Sequence, residues 1–149
     1  MTNILVSGNR LGDAGTTILC DALRESTVTK VEELDLIYND IGPDGAKAIA
    51  ALCAVCASVT KILVGWNNLR DEGTIILCDA LRVSTVSKVQ ELGLSSNGIG
   101  PDGAKAIADL CAVCASLTRL DVGYNRLGGK GQVTLRKAIE GCSGFELKL

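Results

Sequence analysis

The chain contains no histidine in 149 residues, which removes the Ser-His and Cys-His activation schemes and the usual neutral-pH proton carrier. Two tyrosines, one tryptophan and one phenylalanine are its only aromatics, so a core must be built from Leu, Ile, Val, Ala and Cys. A formal net charge of -2 with a pI near 5.1 provides no basic field for phosphate backbones, and no nucleic-acid partner is expected. The longest apolar stretch, Ala46 to Ala57, is interrupted by Lys47 and falls short of the roughly 20 residues a bilayer crossing needs. No membrane span is predicted. Met1 to Asn9 lacks a basic n-region and a long apolar run, so no secretory leader is predicted either. Seven cysteines, an odd number set inside helix-periodic segments, suit buried thiols in a reducing compartment better than a disulfide framework. A cytoplasmic location follows as the expectation.

What the chain does contain is itself, twice. Residues Asn9 to Trp66 and Asn67 to Tyr124 align without a gap at roughly 70% identity, including Ile41 to Ala50 repeated as Ile99 to Ala108. Within each copy a weaker repeat is visible. Leu34-x-Leu36-x-x-Asn39 returns as Ile62-x-Val64-x-x-Asn67, Leu92-x-Leu94-x-x-Asn97 and Leu120-x-Val122-x-x-Asn125, which makes the unit about 29 residues.

One unit has a simple physical content. Leu34 and Leu36 alternate with polar residues at the period of a half-buried strand. Ile41-Gly42-Pro43-Asp44-Gly45 is a turn that also starts a helix, since Pro and Asp are favoured in a first helical turn. Ala46, Ile49, Leu52, Cys53 and Cys56 then fall at steps of three and four, one face of an amphipathic helix. About five strand-helix units with parallel strands predict a sheet on one side and helices on the other. Strands sit about 4.8 Å apart and packed helices about 8–10 Å, so the array curves with its sheet on the concave face. Asn9, Asn39, Asn67, Asn97 and Asn125 each follow a strand, where an inward amide satisfies backbone groups left by the turn.

The pattern Leu-x-x-Leu-x-Leu-x-x-Asn-x-Leu/Ile-Gly resembles the leucine-rich repeat, and Asn9 to Leu23 resembles the ribonuclease-inhibitor-like subclass, seen also in the repeat regions of NOD-like receptors. The resemblance implies a right-handed α/β horseshoe formed by a single domain over residues 1–149, an intracellular setting, and protein recognition on the concave face. Two roles compete under it: a sensing segment of a NOD-like-receptor-type protein, or a free-standing inhibitor or regulator of another enzyme. In resembling proteins that activate a small GTPase, an arginine can sit on a loop near the nucleotide. Arg70 lies on such a loop, but its counterpart in the first copy is Gly12, and no GTPase-activating residue is carried over.

Other motifs reduce to scaffold. Cys53-Ala-Val-Cys56 and Cys111-Ala-Val-Cys114 have zinc-like spacing, yet each is expected on its own helix with another unit between, about 20 Å apart, too far for four thiolates to share one ion. Core packing is the expected role, with no metal and no cofactor. Glycines at 42, 45, 98 and 100 precede helices without a Gly-Lys-Ser/Thr or a dinucleotide fingerprint. Glu33, Asp35, Glu91 and Asp121 point from strands toward the concave side, but Lys61 intervenes between Glu33 and Glu91, and no nucleophile converges with a base. The chain is predicted not to be an enzyme.

Outward strand positions carry the functional expectation. The third position reads Asn3, Glu33, Lys61, Glu91 and Arg119, a column of alternating charge that serves either as a self-neutralised row or as a polar recognition stripe. The eighth reads Gly8, Tyr38, Trp66, Ser96 and Tyr124, placing three aromatics on the ascending rim as candidate interface anchors. Ile37 and Leu63 extend them as an apolar patch. The predicted protein-binding residues are therefore Tyr38, Trp66, Tyr124, Ile37, Leu63, Glu33, Asp35, Lys61, Glu91, Arg119 and Asp121. No polar cap is legible at either end of the repeats, which raises the expectations of a longer array or of self-association through exposed ends.

Overall fold

The computed structural model describes residues 2–149. Strands and helices alternate strictly: β1 (Thr2–Leu5), α1 (Gly12–Glu25), β2 (Val31–Asp35), α2 (Pro43–Val55), β3 (Lys61–Leu63), α3 (Arg70–Val83), β4 (Glu91–Gly93), α4 (Pro101–Val113), β5 (Arg119–Asp121), α5 (Gly128–Ala138) and β6 (Glu146–Lys148). All six strands lie in one parallel sheet in sequence order, and each helix packs on the next along the other side. This is the strand-helix solenoid that the repeat predicts, with a sixth strand added by Glu146 to Lys148.

The core lies between the two layers and is built from the residues whose spacing defined the unit. Leu34, Leu36, Ile62, Val64, Leu92, Leu94, Leu120 and Val122 point inward from the strand segments to meet Ile49, Leu52, Leu77, Ile107 and Leu110 from the helices. Burying such a side chain contributes about 1.5–3 kcal/mol, and each unit supplies several. Cys20, Cys53 and Cys78 are buried among them as small apolar groups. Cys56 and Cys114 depart from the expected helix face. Each is the residue just past its helix, with Sγ 3.3 Å from Ser58 Oγ and 3.4 Å from Ser116 Oγ respectively. The helix ends one residue short of the second cysteine, so neither C-x-x-C pair shares a helical face.

Two devices join consecutive units. The first is the asparagine ladder. Asn67 is buried, its Oδ1 accepts from the N–H groups of Asn39 (2.9 Å) and Ile41 (3.0 Å), and its Nδ2 donates to the carbonyls of Leu36, Val64 and Gly65. Asn39 and Asn97 do the same one unit away on either side. Every such amide closes its own turn and fastens the turn before it, because the donors and acceptors of both would otherwise be buried unpaired.

The second device is a carboxylate that caps the neighbouring helix. Asp13 Oδ1, in the first turn of α1, accepts from Gly42 N–H (2.7 Å) and Gly45 N–H (2.9 Å) at the start of α2. Asp71 does this for Gly100 (2.6 Å) and Gly103 (3.0 Å) at the start of α4. An anionic cap satisfies orphan donors and opposes the positive end of the helix dipole. Glycine is required beneath it: a Cβ on Gly45 would lie 2.5 Å from Ile41 Cγ2 and 2.7 Å from Asp13 Oδ1. The repeated Ile-Gly-Pro-Asp-Gly sequence is thus the receiving half of an inter-unit joint. Among the described residues only α2 and α4 are capped this way, in step with the two-unit period of the repeat.

Candidate functional site

The third-position column is in register across the sheet, running Asn3, Glu33, Lys61, Glu91, Arg119 and then Glu146. Its charges are paired along the row. Lys61 Nζ lies 3.1 Å from Glu33 and 3.8 Å from Glu91, while Arg119 lies 3.5 Å from Glu91 and 2.6 Å from Glu146. The hydrogen bond from Arg119 holds the Glu146 carboxyl below its ordinary value, and the same bond raises the guanidinium. Exposed pairs of this kind are screened by water and add little to stability. Paired in this way, the row presents no field of a single sign.

The fifth-position carboxylates are also committed locally. Asp35 accepts from Ile37 N–H at 3.1 Å, and Asp121 accepts from Gly123 N–H at 2.9 Å while facing Lys148 at 3.4 Å. Both brace the turn that follows their strand.

Beside these rows the sheet is hollowed. A concave groove of about 520 Å³ has Ile37 and Leu63 on one wall, Gly93 and Ser95 along its floor, and Phe145 with Leu147 on the far side. Glu91, Arg119 and Asp121 border it. The hollow exists because β4 and the turn after it carry almost no side chain there: where β2 ends in Asp35 and is followed by Ile37, β4 ends in Gly93 and is followed by Ser95. A Cβ on Gly93 would meet Leu63 Cδ2 at 2.9 Å, so Leu63 leans into the missing volume.

The rim aromatics occupy an unexpected backbone state. Tyr38, Trp66 and Tyr124 have φ of 62°, 54° and 56°, as do Gly8 and Ser96 in the same column at 74° and 52°. Each N–H in this column other than that of Tyr124 reaches the carbonyl of the next unit: Tyr38 to Gly65, Trp66 to Ser95 and Ser96 to Gly123. The corner is therefore set by the ladder, and glycine or serine fills it equally well. For an L-residue the left-handed region costs about 1–2 kcal/mol. Yet the aromatics there stand clear of the core, with Tyr38 64%, Trp66 54% and Tyr124 80% exposed. Tyr38 and Trp66 pack on each other at 6.0 Å between ring centroids, tilted by 31°. Ser96 intervenes between Trp66 and Tyr124.

The structure thus sorts the eleven predicted residues into four sets, with Tyr124 apart: the charge row of Glu33, Lys61, Glu91 and Arg119, the turn-bracing Asp35 and Asp121, the groove wall of Ile37 and Leu63, and the Tyr38–Trp66 pair. Sequence reasoning missed the groove floor at Gly93 and Ser95 and the contribution of Phe145. The column differences between the two copies carried that signal. No cysteine lines the concave groove. Burial pushes Cys20 and Cys111 up to about 12, and Cys53 and Cys78 further still. Among the described residues, no group of His, Cys, Asp and Glu could hold a metal ion, and no helix is long and apolar enough to cross a membrane.

Comparison with known proteins agrees with this architecture. A family model described as Leucine Rich repeat matches residues 29–50, 87–108 and 113–135. The ribonuclease inhibitor of Mus musculus is 31% identical over 130 residues, covering 87% of this chain and 28% of the relative. RAN GTPase-activating protein 2 of Arabidopsis thaliana is 30% identical over 87% of this chain and 24% of its own length. NACHT, LRR and PYD domains-containing protein 12 of Mus musculus is 30% identical over 90% of this chain and 12% of its own length. The chain spans less than a third of each of these relatives. Among solved structures, Leiomodin-1 Actin-Binding Site 2 superposes with a TM-score of 0.74 over 94% of this chain and 79% of that one, at 19% identity, which speaks to the fold alone.

Proposed function

The chain is a leucine-rich-repeat protein, and from that premise we propose that it is a non-enzymatic binding module. It takes a protein partner across the concave groove and the ascending rim. The observation that carries this reading is the Tyr38–Trp66 pair. Two large aromatic side chains are held outward at positive φ in a corner that Gly8 and Ser96 show to need neither. The scaffold bears their backbone cost and leaves more than half of each residue exposed, whereas aromatic residues of this kind are enriched among the anchors of protein interfaces.

The adjoining groove supports the same reading. It provides an apolar wall at Ile37 and Leu63 beside a row of internally paired charges, the combination of apolar centre and polar rim found in protein interfaces. Residues 1–149 act in this reading as one cytoplasmic repeat domain. The sensing role of a NOD-like-receptor-type protein is preferred over that of a free-standing enzyme regulator, because a standard interface needs about 800 Å² per partner, most of the face that so few units expose.

The test is capture from a lysate of the source organism with the wild-type chain and with Trp66→Ala/Tyr124→Ala. Partner retention is expected to fall at least tenfold in the double variant while its thermal midpoint stays within a few degrees, since truncating interface anchors costs about 2 kcal/mol or more. Equal retention by both chains would remove the aromatic rim from the site.

A further inference from the structure

The loops behind the rim hold a second groove, of about 560 Å³, separate from the concave hollow. It is walled by Arg70 and Arg126, with Asn68, Ser96 and Gly98 between them. Arg70 opens α3 and its Cγ lies 3.9 Å from the position a Cβ on Gly98 would take, so the side chain runs along the bare Gly98 corner. Among the described residues neither guanidinium forms an ion pair, and no acidic side chain lines the groove. Of the nearest acids in sequence, Asp71 is occupied elsewhere, capping α4 through Gly100 and Gly103, and Glu72 does not line the groove.

The duplicated scaffold supplies the control. The same place in the first copy has Gly12 for Arg70, Tyr38 for Ser96, Asp40 for Gly98 and Asn68 for Arg126, with Arg10 as its one cation. One arginine and one aspartate under a tyrosine have become two arginines with no acid and an open mouth. Of the five differences, the loss of the Arg10 cation at Asn68 is outweighed by the gain of Arg70 and Arg126 and the loss of the Asp40 carboxylate, so the net change is toward a site for negative charge. The scaffold does not call for an arginine at position 70: it has φ of 54° where the first copy uses glycine, and it puts a cation at the positive end of a helix.

We propose that this groove binds a phosphorylated side chain of the protein partner, the phosphate lying between the Arg70 and Arg126 guanidiniums within reach of Asn68 and Ser96. Planar guanidiniums in pairs suit a dianionic phosphate better than a single carboxylate. Two cations beside an otherwise neutralised face do not make a nucleic-acid track, which needs an extended basic row. Ser96 lies between Trp66 and Tyr124 in the rim column, so a phosphorylated residue entering here would be flanked by the aromatic anchors. The inference rests on the protein-binding reading above for the source of the phosphate.

The test is an amide and arginine Nε NMR titration of the isotope-labelled chain at pH 7.5 and constant ionic strength. The probes are inorganic phosphate, N-acetyl-O-phosphoserine amide and acetate. Saturable shifts confined to Arg70, Ser96, Gly98 and Arg126 are expected, with both phosphates at least tenfold tighter than acetate and the phosphoserine derivative no weaker than the inorganic ion. Gly98→Asp restores the first copy's residue at a corner where Asp40 already has φ of 56°, so it should fold as the wild type does. It should weaken phosphate at least tenfold. Shifts spread equally to Arg10, acetate binding as tightly as phosphate, phosphoserine amide excluded while free phosphate binds, or a Gly98→Asp chain that binds as well as the wild type would each overturn the site. A chain that captures its partner through Trp66 and Tyr124 but shows no phosphate site sinks this inference alone. A confined phosphate site with capture indifferent to those aromatics sinks the rim reading alone.

Discussion

The two copies of the repeat are one scaffold carrying two different faces. Asn39 and Asn97 share three equivalent hydrogen bonds, from Leu11 or Leu69 N–H and to the carbonyls of Val6 or Val64 and Ile37 or Ser95, and Asp13 and Asp71 cap the next helix at nearly the same distances. On the outward positions the copies part. Asp35, Ile37, Tyr38 and Leu63 become Gly93, Ser95, Ser96 and Asp121, which raises an aromatic and apolar ridge on the first copy and sinks a groove into the second. The buried differences, Val59 to Leu117 and Ile62 to Leu120, exchange one aliphatic side chain for another, whereas these outward differences change the chemistry of the face.

The largest expected effect tests the shared part. Asn39→Ala and Asn97→Ala each leave several buried backbone groups unpaired, and chemical denaturation should show losses of about 3–5 kcal/mol that agree with each other within about 1 kcal/mol. Asn9→Ala, at the exposed first turn, should cost well under half as much. A large difference between Asn39 and Asn97 would break the equivalence of the copies.

Next in size are the inter-unit caps. Asp13→Ala and Asp71→Ala each remove two charge-assisted hydrogen bonds at a helix start, and both should lower stability by about 2 kcal/mol. If only one of them matters, the two copies do not share this joint.

A smaller effect separates the copies through their thiols. Burial raises the folded-state values of Cys20 and Cys53 above the ordinary 9.0, so the stability they retain is complete below pH 9 and is lost as pH rises toward the folded values, about 12 for Cys20 and higher for Cys53. Each fully buried thiol should cost about 1–2 kcal/mol by pH 10, seen as an alkaline slope in denaturation that Cys53→Ala makes shallower. Cys111, less buried than its counterpart Cys53, should alkylate faster, and exposed Cys142 first of all.

Much of this was legible in the sequence because the repeat makes contact partners recur at fixed spacing. Asn67 could be read as a ladder residue and Lys61 as a neighbour of Glu33 and Glu91, since register follows from period alone. The Asp13 cap was not legible. Its partners Gly42 and Gly45 belong to another helix, and no local pattern links a carboxylate to glycines about thirty residues on. The positive φ of Trp66 was hidden too, since a bulky residue gives no sign of a corner that glycine normally marks. The groove escaped because it is made by absent side chains at Gly93 and Ser95 and closed by Phe145 from the following unit. The arginine groove needed charges to be compared loop by loop at Arg70, Gly98 and Arg126.

The central claim, a symmetric scaffold with an asymmetric recognition face, is tested most directly by giving the second copy the first copy's outward residues. The variant is Gly93→Asp/Ser95→Ile/Ser96→Tyr/Asp121→Leu, measured for partner capture and thermal midpoint side by side. The account predicts a midpoint within a few degrees of wild type and a loss of capture of at least tenfold. Undiminished capture by a chain that still folds would contradict it.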